Sequence, residues 1–312
     1  MTSAPSNGPA PSSPQPRQTI GALFCLFAAI AWGTTGTAAT FAPGVSPLAI
    51  GAAAMGIGGA LQALIAYKGI WTHRAALRRE RMALLVGAVS VAIYPLAFYA
   101  SMRLAGVTVG TVISIGSAPL ISALIEYALD GRRLTVRWAI GAAIGLGGIG
   151  LLSLSESGHG TASNVPLGAL LGLVAGGTYA LYSWTAQRMM RRDLPPRVAM
   201  GATFGLGGLL LLPVLLITGA SFLDSAGNLA VGLYMALVPM FLGYLAFGAG
   251  LARVPASMAT TITLFEPVVA AVLAVYVVGE TLPALGWLGV ALIVACLLWT
   301  TLPWPRRKVL AA

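Results

Sequence analysis

Ten apolar runs of about twenty residues follow one another along this 312-residue chain. They fall at roughly 20–40, 48–67, 82–102, 107–129, 135–154, 166–187, 198–218, 228–250, 254–278 and 284–302. A helix needs about 20 mostly apolar residues to cross the ~30 Å hydrocarbon core of a bilayer. In that core only helices and closed barrels satisfy their own backbone polar groups. These runs are too long for barrel strands and do not alternate apolar with polar residues. The prediction is an all-α polytopic membrane protein with ten transmembrane helices. Composition supports it: 58% of residues are hydrophobic and 8% charged, against about 25% charged in a soluble domain. A soluble enzyme, a nucleic-acid-binding domain and a disordered protein are excluded. The net charge of +10 is no nucleic-acid signal, because Lys and Arg cluster in short stretches between the runs.

Those clusters set an orientation, since cytoplasmic loops keep an excess of Lys and Arg. With the N-terminus in the cytoplasm, 17 of the 18 basic residues fall on that side: Arg17, five in 68–81, three in 132–137, four in 188–197, Arg253, and three in 306–308. Only Arg103 falls on the far side, whose loops carry Glu156, Asp224 and Glu280. A wrong helix count would scramble this split, so it argues for ten helices with both termini cytoplasmic. Residues 1–19, rich in Pro, Ser, Gly and Ala, read as a disordered cytoplasmic tail. Arg17 ahead of an apolar run also has features of a cleaved signal peptide. That run recurs later in the chain, so it is read as a retained helix. Residues 303–312 read as a basic cytoplasmic tail.

Shifted by 147–148 residues, the first half falls on the second. Gly21-Ala22-Leu23 meets Gly168-Ala169-Leu170, and Pro119, Gly131, Leu134 and Gly141 meet Pro267, Gly279, Leu282 and Gly289. Two repeats follow, 20–154 and 166–302. Each holds five helices, an odd number, so the copies enter the membrane in opposite directions. Inverted repeats are the plan of many secondary transporters, with substrate near the midplane between the halves. The 39 glycines and the pairs Gly141/Gly145, Gly201/Gly205 and Ala291/Ala295 suit close helix packing, which drives helix association in lipid. Pro95, Pro119, Pro213, Pro239 and Pro267 lie inside spans. Each removes a backbone hydrogen bond, and each reads as a static kink or as a hinge. Cys25 and Cys296, in apolar runs without CxxC spacing or a nearby His, read as packing residues.

The segment Phe265-Glu266-Pro267-Val268-Val269-Ala270-Ala271, followed by Val278-Gly279-Glu280-Thr281-Leu282, resembles the ninth helix of EamA-type transporters, where a Glu-Pro pair precedes a Gly-Glu turn. Ala29-Ile30-Ala31-Trp32-Gly33 resembles the first helix of that family. On this resemblance, spanning about residues 20–302, the chain is identified as a member of the drug/metabolite transporter (DMT) superfamily with two five-helix EamA repeats. In length, topology and aromatic placement it looks like amino-acid exporters of the YddG type. The first half departs from the pattern: Ser117-Ala118-Pro119 lacks the Glu before Pro, and Gly131-Arg132-Arg133 lacks the Glu after Gly. The resemblance implies export of small metabolites, amino acids first, across a bacterial-type inner membrane.

Several polar and aromatic residues stand out against the apolar background. Glu266 sits mid-helix, where an acid costs about 2.5–3.5 kcal/mol on insertion scales. Ala259, Thr263, Glu266 and Ala270 share a narrow stripe of a regular helix. Glu266 reads as a proton-linked acid or counter-charge to a substrate amine, or as a structural carboxyl beside the Pro267 kink. Glu126, near the cytoplasmic end of helix four, reads as an interfacial acid paired with Arg132 and Arg133, or as a gate at the inner mouth. Trp32, Tyr94, Tyr99, Tyr179, Tyr182, Ser183 and Tyr244 form a candidate apolar wall with hydroxyls, suited to an aromatic or apolar amino-acid side chain; for each, core packing is the alternative. Thr111, Ser114 and Ser117 read as lining the same cavity or as bonding between helices. Tyr67, Trp71, Trp299 and Trp304 read as interface anchors, and Arg103 as snorkelling to headgroups.

No catalytic constellation is present. His73 and His159 lie in separate loops, and there is no HExxH, GxSxG or P-loop. No cofactor or metal is implied, and without a P-loop a substrate or ion gradient must drive movement. The expected partners are a small-molecule substrate and the lipid bilayer; a monomer suffices, because both repeats lie in one chain. Other cargo, uptake, an intramembrane enzyme and a lipid scramblase are the rival readings.

Overall fold

The computed structural model describes residues 16–105, 107–155, 164–279 and 281–302. Expectations placed on Glu156, His159, Glu280 and Trp304, on the tail 303–312 and on most of the tail 1–19 lie outside those residues. Every regular element among the described residues is helical. Among the described residues nine helices are long and apolar enough to cross a membrane: Arg17–Thr40, Pro47–Thr72, Arg81–Ala105, Gly110–Asp130, Val165–Arg191, Pro196–Leu223, Ala226–Leu251, Ala256–Val278 and Ala284–Thr301. Between the fourth and fifth of these lies the helix Val136–Ser155, whose apolar stretch Val136–Leu152 is shorter. With it the described residues form ten spans, numbered 1 to 10 below. Odd-numbered spans begin, and even-numbered spans end, at one face. The arginines of 74–81, 132–137, 188–197 and 253 sit there, and it is called the basic face.

Local signals start and stop these helices. Ser46 accepts the Ala49 N–H ahead of Pro47, Asn164 accepts the Leu167 N–H ahead of Pro166, and Ser225 accepts the Asn228 N–H. These caps satisfy amide groups that a helix start leaves free. Gly131 (φ 64°) and Gly279 (φ 85°) end spans 4 and 9 in the left-handed conformation, which a glycine adopts without strain. They are the two glycines paired by the sequence repeat, so equivalent helices end by the same device at opposite faces.

Packing follows the repeat as well. Span 2 packs on span 7, span 5 on span 10 and span 4 on span 9. Span 3 packs on span 6 as span 1 does on span 8, and span 4 meets span 6 as span 9 meets span 1. Exchanging each span for the one five places away leaves this pattern unchanged. Small residues set the close approaches. A Cβ on Gly59 would lie 2.2 Å from the Phe204 carbonyl oxygen, between spans 2 and 7. Cβ atoms on Gly148 and Gly289 would each lie within 2.8 Å of the other's carbonyl oxygen, between spans 5 and 10. Gly201 and Gly205 face Ala66 and Ala63 of span 2. Cys25 and Cys296 are free, buried thiols whose Sγ atoms fill the space beside Gly250 and Gly145.

Two spans are irregular beside a proline. Span 8 contains a π-helical stretch, Ala236–Gly243, around Pro239. Span 9 is broken by a 3-10 turn, Thr263–Phe265, just before Pro267. Pro267 has no N–H for the Thr263 carbonyl, and the Glu266 N–H bonds that carbonyl instead. Pro95, Pro119 and Pro213, by contrast, lie within continuous helices. The repeat-related Pro119 and Pro267 therefore have different backbone consequences.

Candidate functional site

A cavity of about 50 Å³ lies among spans 1, 2, 3, 6, 8 and 9. Its walls include Trp32, Tyr94, Tyr99, Tyr179, Tyr244 and Glu266, completed by Thr35, Gly51, Ala54, Met55, Pro95, Phe98, Met235 and Met240. Glu266 is its sole acid, and no basic residue lines it. The carboxylate has no hydrogen-bond or ion-pair partner among the described residues.

The rings hold one another in place. The Trp32 ring centroid lies 4.6 Å from that of Tyr244 and 6.2 Å, edge-on, from that of Tyr179. Tyr94 lies 5.7 Å from Tyr179 and 6.0 Å from Tyr182. Their polar ends are satisfied across helices. Trp32 Nε1 donates to the Pro239 carbonyl (2.9 Å), Tyr179 shares a hydrogen bond with Thr263 (2.7 Å), and Tyr182 shares one with Tyr244 (2.9 Å). The first two reach the irregular segments of spans 8 and 9. Buried Gln62 Nε2 donates to the Met240 carbonyl (3.3 Å), one residue beyond Pro239. Side chains from spans 1 and 2 thus tie down consecutive carbonyls of the π-helical stretch. Gly243 makes room for this: a Cβ there would lie 2.8 Å from Trp32 Nε1.

The cavity occupies the half of the molecule away from the basic face. Toward the basic face it is closed in layers. The first is aromatic, with Tyr182, Phe204, Tyr244 and Phe247 packed together and Phe204 4.4 Å from Tyr244. The second is Gln187, whose Nε2 donates to the carbonyls of Leu251 and Val254. The third is Glu126, 2% exposed. It accepts the N–H groups of Ala256 (2.8 Å) and Ser257 (3.4 Å) and the Ser257 hydroxyl (2.6 Å). Toward the opposite face the described cross-links include Tyr234 Oη to Thr34 Oγ1 at 2.8 Å and Ser101 Oγ to the Gly168 carbonyl at 2.7 Å.

The structure gathers six of the expected residues at the cavity: Trp32, Tyr94, Tyr99, Tyr179, Tyr244 and Glu266. Tyr182 and Thr263 stand just behind it, bonded to wall residues. Ser183 bonds the Tyr179 carbonyl of its own helix, and the buried Ser114 hydroxyl has no partner among the described residues. Ser114 and Ser117 pack against Gly176 of span 6, where a Cβ would lie 2.6 Å from the Ser114 carbonyl and 2.0 Å from Ser117 Oγ. Thr111 is half-buried and not among the lining residues. The regular stripe from Ala259 to Ala270 is interrupted, because the 3-10 turn changes the rotation between Thr263 and Glu266. Glu126 is not paired with Arg132 or Arg133; it reaches the start of span 9 instead, where donors are free. On span 4 it is Asp130 that meets arginine: it accepts from Arg191 (2.5 Å) and from Trp184 Nε1 (3.0 Å). Arg103 is exposed, as are Tyr67 and Trp71. Phe98, Phe204, Phe247, Met55, Met235 and Met240 complete the site, but no polar signal marks them in an apolar sequence. Gln62, a lone amide within an apolar run, could have been found.

The sequence pattern of the EamA-like transporter family matches residues 19–154 and 166–302. The chain belongs to the EamA-like transporter family. It is 37% identical over 286 residues to the Uncharacterized transporter YwfM of Bacillus subtilis (strain 168), covering 89% of this chain and 93% of that one. It is 29% identical over 240 residues to the Threonine/homoserine exporter RhtA of Salmonella typhimurium (strain SL1344), covering 77% of each. A Probable terminal-alkyne amino-acid exporter of Streptantibioticus cattleyicolor is 27% identical over 58% of this chain and 60% of its own. A crystal structure 22% identical to this chain shares the fold, with a TM-score of 0.74 over 91% of this chain and 97% of that one. This member of the family is a multi-pass membrane transporter and not an enzyme.

Proposed function

We propose that this transporter exports small metabolites that carry an ammonium group, amino acids first, across a bacterial inner membrane. The observation that carries the reading is the aromatic-walled cavity between the two halves, with Glu266 as its lone acid. A carboxylate without a protein partner, at a depth where it costs about 2.5–3.5 kcal/mol, needs a counter-charge or a proton. A substrate ammonium supplies the first, and the ring faces of Trp32, Tyr94, Tyr179 and Tyr244 favour the same cation. The relatives named as amino-acid exporters support the cargo class.

A cavity of about 50 Å³ has room for a few waters, and an amino acid needs more. The proposed cycle is alternating access: the halves rock about the site and open one face at a time. Opening the basic face breaks the Glu126 contacts with span 9, so Glu126 acts as a latch, with Pro267 as a hinge above it. The basic face is cytoplasmic in this reading, and one chain forms the whole pathway.

The test is counterflow of labelled amino acids into proteoliposomes, for the wild type and Glu266→Gln, at two pH values. Exchange by the wild type, with loss of pH dependence in the variant, supports Glu266 as a proton-linked site. Loss of exchange at both pH values supports it as the substrate's counter-charge. Unchanged exchange at both leaves Glu266 structural. A wild type that exchanges no amino acid sinks the cargo assignment.

A further inference from the structure

A second pocket, of about 320 Å³, opens at the basic face among spans 4, 5, 9 and 10, well away from the aromatic cavity. Arg132, Arg133 and Arg137 stand over it, and Leu134, Trp138 and Met258 form much of its wall. Its chemistry is divided. At the mouth, Arg132 and Arg133 are exposed and have no acidic partner among the described residues, whose ion pairs are Arg188–Glu80 and Arg191–Asp130. Arg137 is held in place, its Nε and Nη2 donating to the Trp299 carbonyl at 3.0 and 2.6 Å, and Nη2 also to that of Leu302. Its Nη1 has no hydrogen-bond partner among the described residues. Glu126 also borders the pocket, but its two oxygens are engaged by Ala256 and Ser257. Three cations and one acid leave a surplus of two positive charges.

The depth of the pocket is apolar and already satisfied. Trp138 Nε1 donates to Thr261 (3.2 Å), and Thr300 bonds carbonyls of its own helix. Leu134 (46% exposed) and Val136 (76% exposed) extend this surface outward beside the arginines. A guanidinium cluster at the membrane surface above an apolar cleft matches a ligand with a phosphate head and a hydrocarbon body.

The geometry points to a binding site for one anionic phospholipid: phosphate on Arg132, Arg133 and Arg137, glycerol and upper acyl chain along Leu134, Trp138 and Met258. A lipid there touches spans 4 and 9 together, at the place where the Glu126 latch joins them. This site does not depend on the cargo proposed above.

The test uses the full chain purified in detergent and heated with dioleoylphosphatidylglycerol, dioleoylphosphatidylcholine or sodium phosphate, following unfolding. Ligands that bind only the folded state raise its apparent Tm. The expected result is a rise of several degrees with the phosphatidylglycerol, little with the phosphatidylcholine and none with phosphate. Arg132→Gln/Arg133→Gln loses most of that rise, Arg132→Lys/Arg133→Lys keeps much of it, and Arg78→Gln/Arg79→Gln, elsewhere on the same face, keeps all of it. If the first variant does not fold, the lysine pair decides between site and fold, because it keeps charge and loses only the bidentate geometry. Equal rises for the two lipids overturn the assignment. So does an equal loss in the Arg78/Arg79 variant, which means diffuse surface charge. Stabilisation by phosphate as large as by lipid replaces the lipid with a soluble anion.

Discussion

Trp32 joins three features of the site: it forms a cavity wall, it packs on Tyr244, and it donates to the Pro239 carbonyl. Hydrogen bonds between membrane helices average about 0.6 kcal/mol and reach about 1.7. Trp32→Phe removes that bond and part of the ring, so a loss of about 1–2 kcal/mol is expected. Thermal unfolding in detergent measures it, and counterflow should fall with it. Tyr179→Phe is expected to be milder, because Thr263 Oγ1 keeps its bond to the Thr260 carbonyl. Glu266→Gln separates the two effects. It removes the charge at nearly constant volume, so stability should hold or rise while exchange changes. A fall in stability with unchanged exchange would mark Glu266 as structural.

Among the elements, spans 4 and 9 carry the mechanism. Pro267→Ala restores an N–H to the Thr263 carbonyl and favours a regular helix in place of the 3-10 turn. The expected outcome is equal or greater thermal stability with slower counterflow. Unchanged counterflow would make the turn a static kink. Glu126→Ala leaves two amides and the Ser257 hydroxyl without their acceptor. Unpaired buried donors cost about 1–3 kcal/mol. That cost falls only on the form closed at the basic face, so a cysteine introduced near Val254 should label faster from that face in the variant. Gly59→Ala acts on packing alone. Its Cβ would meet a backbone oxygen that cannot turn away, and overpacking costs about 1–3 kcal/mol. Folded yield is the readout.

For the molecule as a whole, the basic residues predict orientation. Reporter fusions to both termini should be active only when the reporter matures in the cytoplasm, and one fused after Asp224 should be active only outside it. The opposite pattern would reverse the assignment of the two faces. The contact pattern also has a mechanical meaning. Because exchanging the halves preserves every major helix pair, the same contacts that close the basic face have counterparts at the other. The repeat-related side chains are unequal in chemistry: Glu126 and Gln187 near the basic face correspond to Ala274 and Thr40 in the other half. The repeat is symmetric in helix packing and asymmetric in these polar side chains.

The ten spans, the two repeats and the orientation signal were legible in the chain because each is a one-dimensional property. Span length is set by bilayer thickness, repeat register by matched Pro and Gly, and sidedness by the spacing of Arg and Lys. The aromatic residues at mid-span and the intramembrane acid were legible for the same reason, since each is out of place in hydrocarbon. What only the tertiary structure decided was which side each of them faces. Ser114 and Tyr99 are equally polar intrusions, yet one packs on Gly176 and the other lines the cavity. Of the two readings of Glu126, the pairing with Arg132 and Arg133 rests on proximity in sequence and does not hold. Arg132 and Arg133 are near along the chain, but the free amides of span 9 lie 130 residues away and are brought to it by packing. The break in span 9 lies before Pro267, and only packing brings Tyr179 of another helix to bond Thr263 at that break. Periodicity gives direction around an isolated helix. In lipid, where every face of a span is apolar, only the neighbouring helices determine which face is inside.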